Sequence, residues 1–301
     1  MTLTEARKQF LKHCESAISL SHHTLRAYCS DLDDTQRYFG VLKKIASVER
    51  DHLRQYIRHL REQRLFKETT IKRRLASIKL LFKWAIEEEF IKTNPFDSLN
   101  ERIRLPKRLP RALDRGDQAT LRKALVIHTR TDGFDSVRNK TIIHLLLDTG
   151  IRVGELVTIN LSDLSLTNCC LVINGKGNRQ RLVYLLKRPL YRKIEQYLAA
   201  RKAMPDGGEK LFISSSGGEI QTPHVRVALR AMAEKAGVSR HVTPHMLRHT
   251  CATQWLEDGL DIRYVQKLLG HQSISTTEIY THVSDQGLRE ALARVAGGGK
   301  R

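Results

Sequence analysis

The stretch CCLVINGKGNRQRLVYLL, residues 169–186, decides the fold class because it is strand-like in a chain whose other segments are mostly helical. Two apolar runs flank the turn-forming residues GKGN, which is the pattern of a β-hairpin. Cys169 and Cys170 stand in the first run, so we expect both to lie in a buried strand. The hairpin predicts a mainly α-helical protein with a small β-sheet.

Three segments among the first hundred residues have the apolar spacing of amphipathic helices. They cover residues 21–39, 47–63 and 69–90. The third carries an apolar stripe formed by Ile71, Leu75, Ile78, Phe82 and Ala85. This pattern predicts a helical amino-terminal domain. Beyond it, helices are predicted over residues 135–150, 187–204 and 222–237.

The other face of the third amphipathic helix is basic. It offers Lys72, Arg73, Arg74, Lys79 and Lys83. Such a face is either a solvated surface or a surface that contacts DNA phosphates, and the sequence leaves both interpretations open. The DNA-contact hypothesis is assigned to Lys72, Arg73, Arg74 and Lys79.

The segment ERIRLPKRLPRALDR, residues 101–115, has the composition of a linker. Pro106 and Pro110 stand among basic residues, which makes the segment extended and unable to form a core. We therefore predict a helical DNA-binding domain over 1–101, a linker over 102–112 and a second domain over 113–301. A basic linker between two basic domains would let the protein close around a duplex as a clamp.

The charge balance points to a polyanionic partner. The chain has 52 Lys and Arg against 32 Asp and Glu, a formal net charge of +20. Double-stranded DNA is the expected partner, with an anionic membrane or a merely solvated surface as alternatives.

The longest apolar runs are too short to span a bilayer. The start MTLTEARKQF lacks the apolar core of a secretory signal, so we expect a cytoplasmic protein associated with the nucleoid.

Residues 148–159, DTGIRVGELVTI, predict the end of one helix and the start of the next. Gly150 can adopt the left-handed conformation that ends a helix. Arg152 and Glu155 then open the next helix, three residues apart. Either they form an ordinary surface ion pair, or Arg152 binds a phosphate while Glu155 supports the turn.

Residues 242–255, VTPHMLRHTCATQW, predict a helix start that can bind an anion. Thr243 is a good N-cap, and Pro244 suits the first helical position. His245 and Arg248 then share one face of the first turns, where the helix dipole favours negative charge. His245 and His249 also have the spacing of zinc ligands, but the glutamate of HExxH is absent, so no metal is predicted.

Further polar side chains stand near turns. Lys176, at the hairpin tip, is either solvated or a proton donor to a group bound in a groove. In LLGHQSISTTEIYTH, residues 268–282, Ser275 and Glu278 form a capping box that places Tyr280 one turn into a short helix. His271 follows a helix-ending glycine. By itself, Tyr280 fits a core position as well as a nucleophile.

Two arginines, two histidines, a lysine and a tyrosine, without a carboxylate cluster for Mg²⁺, favour metal-free phosphoryl transfer without a cofactor. The arginines would neutralise the oxygens of the transition state, and Lys176 would protonate the leaving 5′ oxygen. Tyrosine has an ordinary pKa of about 10, so Tyr280 needs a base or a cationic field to attack phosphorus. A phosphotyrosine ester would preserve the bond energy for rejoining the strand without ATP.

The order of these motifs resembles the tyrosine recombinase (phage integrase) family, and most closely its Xer branch. The resemblance rests on TGIRVGEL, GKGNRQR, HMLRHTCAT and LLGHQSISTTEIYTH, which span nearly all of the second domain. SHHTLRAYCSDL and TTIKRRLASIKLLFKWA, followed by NPF, resemble the amino-terminal core-binding domain of the same family. The resemblance implies a mixed α/β catalytic domain after a helical core-binding domain.

The resemblance also implies a role for each matching position. The catalytic set is Arg152, Lys176, His245, Arg248, His271 and Tyr280. In this set the arginines clamp the phosphate, the lysine is the general acid, and the tyrosine forms a 3′-phosphotyrosyl intermediate. The first histidine accepts the tyrosine proton and the second donates a hydrogen bond to the phosphate. Glu155 supports the turn, whereas His249 and His282 receive no role.

Assembly is implied by the resemblance as well. Four protomers would act on two paired DNA sites through a Holliday junction, as a homotetramer or together with a second recombinase. The segment 284–295 carries an apolar stripe of Leu288, Leu292 and Val295. This stripe packs either on its own domain or on a neighbouring protomer.

The expected function is site-specific recombination, which serves chromosome or plasmid dimer resolution, cointegrate resolution, or integration and excision of a mobile element. Two alternatives remain at this point. A type IB topoisomerase shares the tyrosine chemistry but needs no paired sites. A non-catalytic DNA-binding relic is disfavoured by the intact set of six residues.

Overall fold

The computed structural model describes residues 1–16, 20, 22–99, 103, 112–127, 133–175, 180–204 and 208–270. The chain divides into two compact units, Met1–Lys107 and Arg108–Arg301. In the portions just given, no helix combines the length and the apolar character that crossing a bilayer requires.

The elements of the first unit are helices in its described residues. It contains α1 (Leu3–Ser16), α2 (His22–Phe39), α3 (Arg50–Arg58) and α4 (Glu68–Glu87). The three predicted helices are confirmed, with differences at their ends. The helix predicted over 47–63 begins at Arg50 and finishes as a π-helical segment, His59–Gln63. α4 stops before Phe90 because Glu89 adopts a left-handed φ of 59°.

The predicted apolar stripe of α4 forms the centre of the first core. All five of its members are buried: Ile71, Leu75, Ile78, Phe82 and Ala85. Tyr56 of α3 and Trp84 of α4 join the same cluster. The apolar periodicity read from the sequence therefore gives the correct inward face of this helix.

The second unit is built around one buried helix, α6. Its helices are α5 (Arg115–Val126), α6 (Phe134–Thr149), α7 (Val153–Leu156), α8 (Arg188–Arg201), α9 (Thr222–Lys235), α10 (Pro244–Glu257) and α11 (Ile262–Leu269). α6 contacts α5, α8, α9 and α10. Because it is enclosed by neighbours, its apolar and polar residues alike are buried. The predicted helices over 135–150, 187–204 and 222–237 are confirmed.

The predicted hairpin is confirmed and is part of a three-stranded antiparallel sheet in the order β1-β2-β3. The strands are β1 (Leu164–Ser165), β2 (Cys170–Asn174) and β3 (Gln180–Tyr184). Cys170 pairs with Tyr184, and Asn174 pairs with Gln180. The short strand β1 was not predicted, because two residues carry no readable alternation.

One expectation for the hairpin is wrong. Cys169 does not lie in the strand, since it adopts a left-handed φ of 48° and is only partly buried. It closes the turn before β2, and its carbonyl accepts a hydrogen bond from the Leu185 N–H at 2.7 Å. Only Cys170 occupies the buried strand position.

Candidate active site

The site begins at the glycine that ends α6. Gly150 has a φ of 62°, in the left-handed region predicted for it. A Cβ at this position would lie 2.8 Å from Cδ2 of Leu269, the last residue of α11. Glycine is therefore needed here for its conformation and for its size, and it allows the ends of α6 and α11 to pack closely.

Arg248 joins these two helix ends. Thr243 caps α10 as predicted, because its side chain accepts a hydrogen bond from the Met246 N–H. In the following turn the buried Arg248 donates from Nη1 to the Gly150 carbonyl and from Nη2 to the Leu269 carbonyl, both at 2.7 Å. Carbonyls at helix ends carry partial negative charge, so they hold the guanidinium in one orientation.

Arg152 lies beside the same helix end. Its backbone N–H donates to Glu155 Oε2 at 2.9 Å, and its Nη1 donates to Glu155 Oε1 at 2.8 Å. Its Nη2 donates to the Gly270 carbonyl at 3.3 Å, while the side chain stays 46% exposed. The predicted pair of Arg152 and Glu155 therefore forms, and the Arg152 side chain remains partly exposed.

Arg181 of β3 is part of this arrangement and was missed by the sequence analysis. It donates from Nη1 to Glu155 Oε1 at 3.0 Å, from Nη2 to Glu155 Oε2 at 2.7 Å, and from Nε to the Leu268 carbonyl at 2.9 Å. Strand alternation could have revealed it. Arg181 shares a face of β3 with the buried Val183, so an inward-facing arginine required an acidic partner.

The pKa of Glu155 lies below its ordinary value. Burial alone would raise this pKa, but hydrogen bonds from Arg181 and from the Arg152 backbone N–H lower it more strongly. Glu155 therefore remains an anion between two guanidinium groups.

His245 is paired with His249, one helical turn later. Their Nε2 atoms are 2.9 Å apart, and the ring centroids are separated by 4.2 Å. Burial and the positive charges of Arg248 and Arg152 lower the pKa of His245. Burial, His245 and Arg248 lower the pKa of His249 to about 4. Both rings are neutral at neutral pH, so the Nε2–H of one ring donates a hydrogen bond to the unprotonated Nε2 of the other.

The structure thus brings together Arg152, Glu155, His245 and Arg248 from the predicted set. Lys176, His271 and Tyr280 lie outside the described residues, as do the capping box and the apolar stripe of segment 284–295. His249, which received no role from the sequence, directly contacts His245. Within the described ranges, no three side chains of metal-ligating type come together.

The predicted basic face of α4 divides into two kinds of position. Lys72 and Lys79 are exposed. Arg73 is 48% exposed and is paired with the buried carboxylate of Asp31. Arg74 is 11% exposed and donates to Asp34 at 2.6 Å, in the contact between α2 and α4. The guanidinium of Arg74 is held in the interior of the unit by Asp34, which favours a role in packing over the predicted phosphate contact.

An apolar surface is formed by β3 and the residues that follow it. Leu182, Tyr184 and Leu186 are 47%, 53% and 78% exposed. Tyr184 and Leu186 also line an open cleft of about 210 Å³ together with Trp255 of α10. Solvent-exposed apolar side chains in a row are typical of a surface that contacts another segment or protein.

The chain is similar to proteins of known activity over most of its length. The model of the phage integrase family matches residues 121–287, and that of the phage integrase N-terminal SAM-like domain matches residues 8–89. The chain is 35% identical to "Tyrosine recombinase XerC" of Thermodesulfovibrio yellowstonii, covering 93% of this chain and 92% of that protein. It is 32% identical to "Tyrosine recombinase XerD" of Halalkalibacterium halodurans, covering 97% of each.

Solved structures share its architecture. The crystal structure of XerA recombinase is 26% identical, with a TM-score of 0.55 and 99% of each chain covered. The XerH site-specific recombinase, bound to palindromic difH substrate, is 23% identical with a TM-score of 0.77. That likeness covers 95% of this chain and 84% of the XerH chain, and it concerns the fold.

Proposed function

Because the chain belongs to the phage integrase family and is a tyrosine recombinase, we propose that Arg152, His245 and Arg248 prepare one DNA phosphodiester for attack by Tyr280. The observation that carries this assignment is the convergence of the two arginines on one helix end. Arg248 donates to the Leu269 carbonyl, and Arg152 donates to the carbonyl of the next residue, Gly270. His271, the third predicted phosphate ligand, is the next residue in the sequence after Gly270.

The proposed step is a transesterification. The Tyr280 oxygen forms a bond to phosphorus, and the bond between phosphorus and the 5′ oxygen breaks. Neutral His245 accepts the phenol proton, while Lys176 gives a proton to the leaving 5′ oxygen. The guanidinium groups of Arg152 and Arg248 stabilise the negative charge that develops on the phosphate oxygens. Attack by a 5′ hydroxyl of a partner strand reverses the step and rejoins DNA without added energy.

A cleavage assay with a suicide substrate, in which the leaving strand is too short to stay bound, tests this assignment. Wild-type protein should accumulate a covalent DNA adduct. Tyr280→Phe should bind the same DNA and form no adduct, because it lacks the attacking oxygen. Arg248→Ala should lose about 10²-fold or more in cleavage rate, the usual cost of removing one transition-state donor.

Two results of the same assay would contradict the proposed catalytic roles. An adduct formed by Tyr280→Phe in wild-type yield would show that another residue is the nucleophile. Since Arg248 is buried, thermal melting of Arg248→Ala must accompany the rate. Normal cleavage by a folded Arg248→Ala protein would remove this arginine from the catalytic set.

Four protomers acting on two paired recombination sites are the proposed assembly, as a homotetramer or with a second recombinase. The exposed apolar surface of Leu182, Tyr184 and Leu186 supports a protein contact beside the active site. We assign that contact to the apolar stripe of segment 284–295 from a neighbouring protomer. The named relatives are recombinases, which does not favour a type IB topoisomerase or a non-catalytic relic.

The domain arrangement proposed for DNA binding has residues 1–101 and 113–301 on the two sides of a linker at 102–112. The excess of basic residues supports closure of both domains around a duplex. Lys72, Lys79 and the exposed part of Arg73 are the proposed phosphate contacts of α4. The biological use is resolution of chromosome or plasmid dimers or cointegrates, or movement of a mobile element, on DNA of the nucleoid.

A further inference from the structure

Arg181 uses each of its three guanidinium nitrogens. Nη1 and Nη2 donate to the two oxygens of Glu155, and Nε donates to the Leu268 carbonyl. Arg181 is 11% exposed and Glu155 is 9% exposed, so little water competes for these bonds. A bidentate pair of arginine and carboxylate is both strong and directional.

Arg181 holds Glu155, one partner of the Arg152 side chain, and a carbonyl close to its second partner. Each Glu155 oxygen accepts one hydrogen bond from Arg152 and one from Arg181. The other partner of Arg152 is the Gly270 carbonyl, two residues after the Leu268 carbonyl that Arg181 holds. Every hydrogen bond that orients Arg152 therefore ends on a segment tied to Arg181.

The packing at Gly270 shows how closely Arg181 fits. A Cβ on Gly270 would lie 3.1 Å from Nη1 and 3.2 Å from Cδ of Arg181. Gly270 also has a left-handed φ of 66°. The end of α11 is thus shaped around the Arg181 side chain, and lysine could not occupy its place with the same three hydrogen bonds.

We propose that Arg181 is a positioning residue for the cleavage reaction, which sets the orientation of Arg152 through Glu155 and the end of α11. This inference rests on the proposed function of Arg152. Arg181 need not touch DNA. Without it, Glu155 loses one guanidinium partner and the Gly270 carbonyl loses its fixed position, so Arg152 no longer points consistently at the phosphate.

The experiment compares single-turnover cleavage rates at saturating DNA for wild type, Arg181→Gln, Arg152→Ala and the double variant. Arg181→Gln should lower the rate about 10-fold or more while leaving the DNA dissociation constant within about 2-fold, as expected for an interaction used in the transition state. In the Arg152→Ala background the same change should cost less than about 2-fold, because residues that act through one another are not additive.

Arg230→Gln is the matched control. Arg230 also pairs with a glutamate, Glu234, at 2.8 Å, but both side chains are more than 60% exposed and lie on α9. This variant should cleave like wild type. Arg181→Lys keeps the charge without the bidentate geometry, and it should show an intermediate rate. If Arg181→Gln does not fold, Arg181→Lys takes its place in the cycle.

Two results would overturn the inference. One is a wild-type rate for a folded Arg181 variant. The other is a full additional loss in the Arg152→Ala background, which would show that Arg181 acts on overall structure and not through Arg152. Failure of the proposed function itself is recognised separately, because Tyr280→Phe would then still form the covalent adduct.

Discussion

At the scale of single residues, the site shows how hydrogen bonds fix charged groups before a ligand arrives. Arg248 is anchored on the Gly150 and Leu269 carbonyls, and Arg152 is anchored on Glu155. Preorganised donors of this kind need no rearrangement when charge develops on a phosphate. The histidine pair extends the same principle to a proton acceptor, since burial and nearby positive charge keep both rings neutral.

The histidine pair predicts a pH dependence of stability. The pKa of His249 is about 4 in the folded protein, against about 6.5 for an ordinary histidine. Between these values the unfolded chain binds a proton that the folded protein does not. The stabilising contribution is therefore complete above pH 6.5 and is lost as the pH falls towards 4.

Urea denaturation of wild type and His249→Gln at pH 7.5 and pH 5 measures this contribution. At about 1.4 kcal/mol per pH unit below 6.5, wild type should lose up to about 2 kcal/mol more than the variant. Glutamine can still form a hydrogen bond with His245 but does not titrate. Equal losses in the two proteins would show that His249 is not the titrating group.

The sequence predicted some of these residues for a physical reason. Arg152, Glu155 and Arg248 stand at helix starts, where capping residues and glycines place them within a few positions. Arg181 and the contact of His249 with His245 depend on which way a side chain points after the sheet and the helices pack. That direction follows from tertiary contacts, which local spacing does not contain.

At the scale of elements, the close approach of α6 and α11 is the feature that holds the arginines. Gly150→Ala places a methyl group against Leu269 and forces alanine into a left-handed conformation. The expected loss of unfolding free energy is roughly 1–3 kcal/mol. Cleavage should also fall, because the Gly150 carbonyl that orients Arg248 has to shift.

Gly154→Ala is the control for stability. Gly154 lies in α7, and a Cβ there would meet nothing within 4 Å. Alanine suits a helix better than glycine, so this variant should be as stable as wild type or slightly more stable. Chemical denaturation of both variants distinguishes the two positions. Equal midpoints for Gly150→Ala and wild type would contradict the packing described for this turn.

At this scale the amphipathic helices and the hairpin were predictable, because their periodicities of 3.6 and 2 residues are local. The strand β1 could not be predicted, since a segment of two residues shows no periodicity. The left-handed conformation of Cys169 could not be predicted either, because the conformation of a turn depends on the strands that it connects. The observed helix ends differ from the predicted ones where a single residue, such as Glu89, adopts a left-handed conformation.

At the scale of the whole molecule, a formal charge of +20 governs the encounter with DNA. DNA affinity should fall steeply with salt, with a slope in a log–log plot of about −0.9 for each phosphate contacted. The double variant Lys72→Gln, Lys79→Gln should reduce that slope by about 2 if both lysines contact phosphates. Fluorescence anisotropy between low and moderate salt measures both quantities.

Arg74→Gln provides the contrast for this measurement. Arg74 is buried against Asp34, so its loss should lower the melting temperature of the protein and leave the salt slope of the folded protein unchanged. An unchanged slope in the lysine double variant would assign the DNA contacts to other basic residues. A reduced slope in Arg74→Gln would show that this arginine reaches DNA after all.

Arg248 is oriented by the Gly150 and Leu269 carbonyls, and Arg152 is oriented by the Gly270 carbonyl in addition to Glu155. These carbonyls lie at the ends of α6 and α11, and helix ends fray first when a protein is warmed. α11 has only eight residues and a small apolar cluster beneath it. On heating, the loss of cleavage activity should consequently occur several degrees below the cooperative melting of the protein. Activity would then report the local unfolding of two helix ends before the rest of the protein unfolds.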